Sequence, residues 1–352
     1  MITLGHINLT ENSKPLIVAE LSGNHQQSYE LAEQMIVAAA KSGADAIKLQ
    51  TYTADTMTLD CDKSEFQIDE SSSLWQGENL FSLYEKASTP WQWHERLFNK
   101  AKSLGLLAFS SPFDISSVNF LETLAVPCYK IASFENNDLP LIKRVAQTGK
   151  PIIMSTGMAS IEEIELAIDT IHDQGNEQII LLKCTSNYPA KISDANLVTI
   201  LDMKKRFNCA VGLSDHSLGI NVSLASVALG ACLIEKHFVL DKNAGGIDSD
   251  FSIDAVELEQ LVHGSKAIHQ ALGKVKYDGS ESEQQSKKYR RSIYISQNIN
   301  AGDKLNESNM RIIRPGYGLA PKYYEQILGK QVNQSIEVGT PLSWELIMNT
   351  DK

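Results

Sequence analysis

The sequence predicts a closed (β/α)8 TIM barrel carrying a small C-terminal module, and three observations predict it. Eight short apolar runs, each ending in polar residues, are spaced along roughly the first two thirds of the chain. Amphipathic helical patterns lie between them, and alternation of strand with helix favours a parallel sheet, which closes on itself at eight strands. From about Tyr277 the chain turns polar and then gives short β-type runs punctuated by glycine.

The runs follow in order: LIVAEL (16–21), AIKLQT (46–51), LLAFSSP (106–112), CYKIAS (128–133), PIIMST (151–156), IILLKCT (179–185), AVGLSD (210–215) and LIEKHF (233–238). Between them, Leu31, Met35, Ala38 and Ala39 fall on one helical face, and Ser160 with Glu163 has capping-box spacing ahead of Ile164, Ile168 and Ile171. The connection 60–88 is longer and more polar than the others. Its SSLWQGENLFSLY carries an aromatic cluster and reads as a substrate lid. The stretch DGSESEQQSKKYRR (278–291) reads as linker, and SIYISQNINAGDKL (292–305) and SIEVGTPLSWELI (335–347) read as short strands. The expected division is barrel 1–276, linker 277–292 and second module 293–352.

A barrel of this kind fills about 250 residues as one domain, so 352 residues leave room for such an appendage. The net charge of −11, with basic residues scattered singly, excludes a nucleic-acid footprint, and any anionic substrate must be captured by local lysines. Five cysteines without a CxxC pair, several in apolar runs, read as reduced thiols in a reducing compartment. The opening MITLGHINLTENSK lacks a basic segment followed by an apolar stretch, and no run of eighteen apolar residues occurs. The expectation is a soluble cytoplasmic protein without a membrane partner.

In such barrels the loops after the strands form the catalytic face, so the strand ends carry the chemistry. His216 and His237 end consecutive runs. Each alone reads as a core histidine, but as a pair at one end they suit a divalent ion, with water or a carboxylate completing the shell. Two ligands are too few for a structural zinc site. Lys48 and Lys130 end their runs beside Ser111, Ser133, Ser155 and Ser214, an arrangement suited to a phosphate plus a carboxylate, or blandly to salt bridging at the barrel mouth. The chain has no G-x-G-x-x-G or G-x-x-x-x-G-K-[ST] run, which argues against a nucleotide cofactor. Glu20 and Asp248 read as acid–base groups, sugar-hydroxyl acceptors or solvated carboxylates. Cys184 reads chiefly as a small buried hydrophobe and secondarily as a nucleophile. Trp75, Trp91 and Trp93 are candidates to stack on a sugar or to pack the excursion, and Arg290 with Arg291 reads as a solvated linker face.

The motifs AELSGNH (19–25), IKLQTYTADTMT (47–58), YKIAS (129–133), IMSTGMAS (153–160), KCTSNYPA (183–190), GLSDHS (212–217), IEKHF (234–238) and IRPGYGL (313–319) resemble the sialic acid synthase family, closest to its pseudaminic branch. The resemblance spans nearly the whole chain. It implies a barrel followed by an antifreeze-like (SAF) domain in a domain-swapped homodimer. It further implies condensation of phosphoenolpyruvate with 2,4-diacetamido-2,4,6-trideoxy-L-altrose and water, giving pseudaminic acid, for flagellin glycosylation or a surface polysaccharide, and phosphate. By resemblance, His216 and His237 bind a divalent metal, Mn²⁺ first and Mg²⁺ or Co²⁺ as alternatives. Lys48, Lys130, Ser133, Ser155 and Ser214 hold phosphoenolpyruvate, with Ser111 where relatives often have threonine. Glu20, Gln50, Tyr188 and Asp248 face the sugar or reacting centre, and Arg314 reaches across the dimer to an acetamido group. Two positions depart from the family pattern. Ile247 stands for the usual proline before Asp248, and Ser186 stands where neuraminate synthases have asparagine, implying a different donor to the anion. Neuraminate or legionaminate synthesis by the same chemistry, and a non-catalytic carbohydrate-binding protein, are the rival expectations.

Overall fold

A computed structural model describes residues 1–10, 13–68 and 74–348. The chain opens on a hairpin, β1 (Ile2–Leu4) and β2 (Ile7–Leu9), paired antiparallel. Eight parallel strands follow: β3 (Leu16–Glu20), β4 (Ala46–Thr51), β5 (Leu107–Pro112), β6 (Tyr129–Ile131), β7 (Ile152–Ser155), β8 (Ile179–Cys184), β9 (Ala210–Asp215) and β10 (Leu233–His237). They close in sequence order, with β10 pairing β3. Each predicted run contains one of these strands. The barrel occupies the compact unit Met1–Gly273, and Lys274–Lys352 forms a second unit.

Period-two alternation assigns each strand's two faces. Ala19, Ile47, Leu49, Ala108, Ile131, Met154, Leu181, Val211 and Ile234 join the core shared with the surrounding helices. Val18, Ala46, Phe109, Cys128, Ile153, Ile180, Leu182 and Leu233 form a separate apolar core. Continuing that second series by two residues gives Glu20, Lys48, Ser111, Lys130, Ser155, Cys184 and Glu235. One face of the sheet is therefore hydrocarbon at one end and charged at the other. Gly212 belongs to this face, because a Cβ there would lie 2.3 Å from the Leu233 carbonyl and 2.8 Å from Leu182 Cδ1's sister methyl Cδ2.

The hairpin was not foreseen. Leu4 and Leu9 pack into the same apolar core, closing the end opposite the charges. Its turn uses Gly5 at φ +57°, against Leu107 and Pro127, where a side chain would collide. Burying such a leucine contributes about 1.5–3 kcal/mol, which explains why three-residue strands suffice.

The helical patterns fold as read. Tyr29–Lys41 is capped by Ser28, and Ile161–His172 by the Ser160–Glu163 capping box. Within the stretch read as linker, another capping box, Ser280 with Glu283, starts the helix Glu281–Ser286. In the second unit β11 (Ser292–Ile295) pairs antiparallel with β12 (Met310–Ile313). The 335–347 stretch, read as strand, instead makes single bridges through Ile336, Pro341 and Ile347. Glycine 339 at φ +87° and Pro341 break the pairing there. Ile293, Ile295, Leu305, Met310, Ile327 and Leu342 give this unit its own core. Among the described residues no helix is long and apolar enough to cross a membrane.

Candidate active site

A cavity of about 320 Å³ opens at the C-terminal ends of the barrel strands. Of the residues predicted from sequence, Lys48, Gln50, Lys130, Ser133, Ser155, Ser186, Tyr188, Ser214, His216, His237 and Asp248 line it. Glu20 and Ser111 do not. Both are fully buried behind Lys48, which contacts Glu20 Oε2 at 3.1 Å and donates to Ser111 Oγ at 3.2 Å. Arg314 belongs to the second unit and follows β12 directly.

The strand-end charges form one cluster. Glu235 Oε1 accepts from Lys130 at 3.3 Å and from Ser214 at 3.2 Å, and lies 3.4 Å from Lys48 Nζ. Burial opposes ionisation of Glu235, but Lys130 and Lys48 hold its carboxyl down at about 2. Lys48 resists burial through two carboxylates, Glu20 and Glu235, and is raised. Lys130 pairs with Glu235 alone, and burial wins, lowering it. Oε2 of Glu235 and Oγ of Ser155 have no hydrogen-bond partner. Two ammonium groups and the unpartnered Ser155 hydroxyl thus gather on one wall, as an anion requires.

The histidines stand beside that wall with ring centroids 5.3 Å apart. His216 Nδ1 faces the Thr185 carbonyl at 3.0 Å. His237 Nδ1 faces Ser22 Oγ at 3.2 Å and Asp248 Oδ2 at 3.4 Å. These acceptors favour a proton on Nδ1 and leave Nε2 of each ring without a protein partner, the orientation metal-binding histidines use. Among the described residues no group of three or more His, Cys, Asp or Glu is arranged to hold an ion. The donor chemistry of two imidazoles suits a divalent ion whose shell would be completed by water or substrate. Asp248 is held below the ordinary aspartate range, burial being overcome by its bond to His237. Its loop is fixed by Asn24, which accepts from Asp248 N at 3.1 Å and donates to Ser252 and to the Phe238 carbonyl. Ile247 turns its carbonyl to the Trp75 indole at 3.2 Å.

The excursion contributes Ile68, Trp75, Leu80, Leu83 and Tyr84 to the cavity, opposite in character to the charged wall. Residues 69–73, including Ser72 and Ser73 of the aromatic stretch, lie outside the described residues. Trp91 and Trp93 pack instead: Trp91 stacks on Phe120 at 4.7 Å, and Trp93 meets His25 and Tyr29 edge-on. Arg291 donates to the Ile312 carbonyl within the second unit.

Two carboxylates of the site carried no role in the sequence reading. Glu235 stood at a strand end, and its alternation with His237 was the available signal. Glu135 lies beyond β6, in the turn Ser133–Glu135, and lines the cavity. Burial raises it to about 7, and its Oε2 has no partner. Nothing in its local sequence separates it from a surface glutamate. Cys184 meets His216 Nδ1 at 3.8 Å and Ser186 at 3.6 Å. Burial is overcome by His216, and the thiol falls to about 6.

Residues 35–277 match the NeuB family and residues 290–348 match the SAF domain. A protein of Campylobacter jejuni subsp. jejuni serotype O:23/36 (strain 81-176) named pseudaminic acid synthase is 44% identical, covering 95% of this chain and 97% of that protein. An N,N'-diacetyllegionaminic acid synthase of C. jejuni serotype O:2 is 37% identical, over 90% of this chain and 95% of that protein. The solved N-acetylneuraminic acid (sialic acid) synthetase of Leptospira borgpetersenii serovar Hardjo-bovis, in complex with citrate, superposes with a TM-score of 0.72. That match is 34% identical and covers 81% of this chain and 94% of the other.

Proposed function

The chain belongs to the NeuB family, and from that premise we propose that it condenses phosphoenolpyruvate with 2,4-diacetamido-2,4,6-trideoxy-β-L-altropyranose and water to give pseudaminic acid and phosphate. The observation that carries the reading is one cavity joining two lysines and unpartnered hydroxyl and carboxylate groups to two histidines with free Nε2 atoms.

In this reading Lys48 and Lys130, with Ser133, Ser155, Ser186 and Ser214, hold the phosphate and carboxylate of phosphoenolpyruvate. Fixed before the reaction, they neutralise it without reorganising during the chemical step. His216 and His237 would hold a divalent ion, Mn²⁺ by preference, which when bound would supply Lewis acidity for the carbonyl chemistry. Carbon 3 of the enol then bonds to the aldehyde carbon, and water adds at C2. Glu135, poised near neutrality, takes the proton that water sheds. The C2–O bond to phosphate breaks as the C2 hydroxyl yields its proton to the departing phosphate, and the alkoxide left by the aldehyde takes up the proton held by Glu135, leaving the keto acid and hydrogen phosphate. Gln50, Tyr188 and Asp248 border the sugar, while Glu20 acts from behind, through Lys48 and Gln50.

The protein works as a homodimer in which Arg314 of the C-terminal module serves the partner's cavity, and it works in the cytoplasm, where phosphoenolpyruvate is made. Light scattering that returns a monomer removes the dimer. The function is tested by phosphate release with phosphoenolpyruvate, Mn²⁺ and, in turn, the altrose, its manno-configured legionaminate counterpart and N-acetylmannosamine. Turnover confined to the altrose is the expected result. Preference for either other sugar moves the enzyme to a sister activity, and silence with all three returns it to carbohydrate binding.

A further inference from the structure

Behind the histidines, on the helix-facing side of the same two strands, lies a buried ion pair that the chemistry above does not use. Asp215 and Lys236 immediately precede His216 and His237, and alternation turns them away from the cavity, which neither lines. Lys236 is 1% exposed and Asp215 4%. Lys236 Nζ donates to the Ser217 carbonyl at 2.6 Å and to Asp215 Oδ2 at 3.1 Å, with the Asp215 carbonyl at 3.5 Å. One ammonium from β10 therefore grips the residues on both sides of His216. Asp215 is locked in turn. Its Oδ1 accepts from Ser217 N and Oγ at 2.9 and 2.7 Å, and its Oδ2 from Ser223 of helix Asn221–Ala228 at 2.6 Å.

The strand ladder explains why a grip is needed at this point. Pairing between β9 and β10 runs Ile234↔Leu213, Glu235↔Ser214 and Lys236↔Asp215, and ends there. Both histidines lie past its last rung. His237 is still paired on its other side with Glu20 of β3, and the His216 carbonyl accepts from Ala190 N at 3.0 Å. Each imidazole is thus anchored to a different neighbour, and between the two strands the Lys236 contacts take over where the ladder stops. Packing alone gives no reason for them, because an apolar pair of the same volume avoids the desolvation of two ions.

We propose that Asp215 and Lys236 are positioning residues, a strap that sets the spacing of His216 and His237 and with it the affinity for a divalent ion. The inference rests on the reading of those histidines as metal ligands.

The test titrates Mn²⁺ alone into the full-length protein by electron paramagnetic resonance, with no substrate present. Lys236→Met and Asp215→Asn are expected to raise the Mn²⁺ dissociation constant about 10–100-fold, the usual consequence of losing an outer-shell partner. The double variant D215N/K236M leaves no lone buried charge, so it keeps its fold and shows the same loss. Ser223→Ala, which removes one bond to Asp215 and no charge, raises the constant less. A folded double variant that binds Mn²⁺ within about threefold of the wild type overturns the strap while leaving the metal reading intact. Should both charge variants and the double variant fail to fold, an unchanged constant in Ser223→Ala overturns it. Wild-type protein that binds no Mn²⁺ overturns the metal reading and the strap together, whatever the sugar assay returns.

Discussion

Two clusters of buried charge sit on opposite faces of the barrel wall, and they are finished differently. On the outer face, Asp215 takes hydrogen bonds from Ser217, Ser223 and Lys236, and Lys236 spends itself on that carboxylate and two carbonyls. On the inner face Lys48 and Lys130 share Glu235, and buried atoms remain without a hydrogen bond: Oε2 of Glu20, Glu135 and Glu235, and Oγ of Ser155. The only other such side-chain atom among the described residues is Ser265 Oγ, on helix Ala255–Leu272. Buried polar groups are ordinarily satisfied. Three of the exceptions here, on Glu135, Glu235 and Ser155, belong to residues lining one cavity, whereas Glu20 Oε2 lies behind it, 3.1 Å from Lys48 Nζ. The outer cluster is complete within the protein, while the inner one keeps unpartnered atoms on residues that line the cavity.

The largest effect that breaks this contrast comes from the inner face. His237→Ala removes an Nε2 proposed as a metal ligand and should abolish Mn²⁺ binding, with kcat/KM falling on the order of 10³-fold, the scale of losing a principal electrostatic stabiliser. Metal-stripped His237→Ala with normal turnover removes the histidines from the chemistry. Glu135→Gln comes next. A general base contributes about 10²–10⁴-fold, so kcat should fall by at least about a hundredfold. Wild-type kcat/KM should climb as pH rises through about 7, where Glu135 ionises, and that limb should flatten in the variant. A full-height limb in Glu135→Gln assigns the proton transfer elsewhere.

Sequence made the cavity's strand-borne residues legible because a parallel barrel converts position into place: the last inward residue of each strand lands at the mouth. Gln50, Lys130, Ser155, Ser214 and His237 follow from that rule. The same rule brings Glu20 and Ser111 to the mouth, where they lie behind Lys48 and not on the cavity lining. Alternation gives the face, whereas the depth at which a side chain sits depends on the stagger of neighbouring strands, which the sequence does not display. Glu135 escaped for the opposite reason. It lies on a short turn after β6, where no period operates, and its burial comes from residues distant in the chain. The hairpin was missed because three-residue strands lack enough alternation to read. In the second unit glycine turns were visible, but β11 pairs along its length with Met310–Ile313 and also bridges the 335–347 run through Tyr294 and Pro341.

A smaller effect sharpens the distinction between satisfied and open groups through pH. His25 and His94 are buried, bonded to Thr89 and Thr51, and burial lowers both to about 4. A base whose folded value lies below its unfolded 6.5 stays neutral in the fold, so its stabilisation is whole above pH 6.5 and drains as pH falls toward 4. Each costs about 1.4 kcal/mol per pH unit well inside that window. Glu135 works against them. Raised from 4.5 to about 7 by burial, it binds a proton in the fold before the unfolded chain does, and returns about 1.4 kcal/mol per unit as pH falls from 7 to 4.5. The melting temperature should therefore fall on acidification from pH 6.5 to 4.5, and fall more steeply in Glu135→Gln. Parallel curves for the two proteins would mean that Glu135 ionises normally.

The smallest effect concerns the residue lying between the two kinds of group. Cys184 ends β8 on the inner face, and its lowered thiol beside His216 resembles a nucleophile. The geometry speaks for a packing role. Its side chain is buried against Ser186 and the back of the His216 ring, at the nitrogen that also faces the Thr185 carbonyl, so it meets the edge turned from the ligating atom. The condensation forms its carbon–carbon bond from the enol of phosphoenolpyruvate and needs no protein nucleophile. Cys184→Ser keeps the shape and a hydrogen-bonding atom, and its kcat/KM should stay within roughly threefold of the wild type. Loss on the scale of His237→Ala would make the thiol part of the open, substrate-completed face, and the division between the two faces would have to be redrawn through β8.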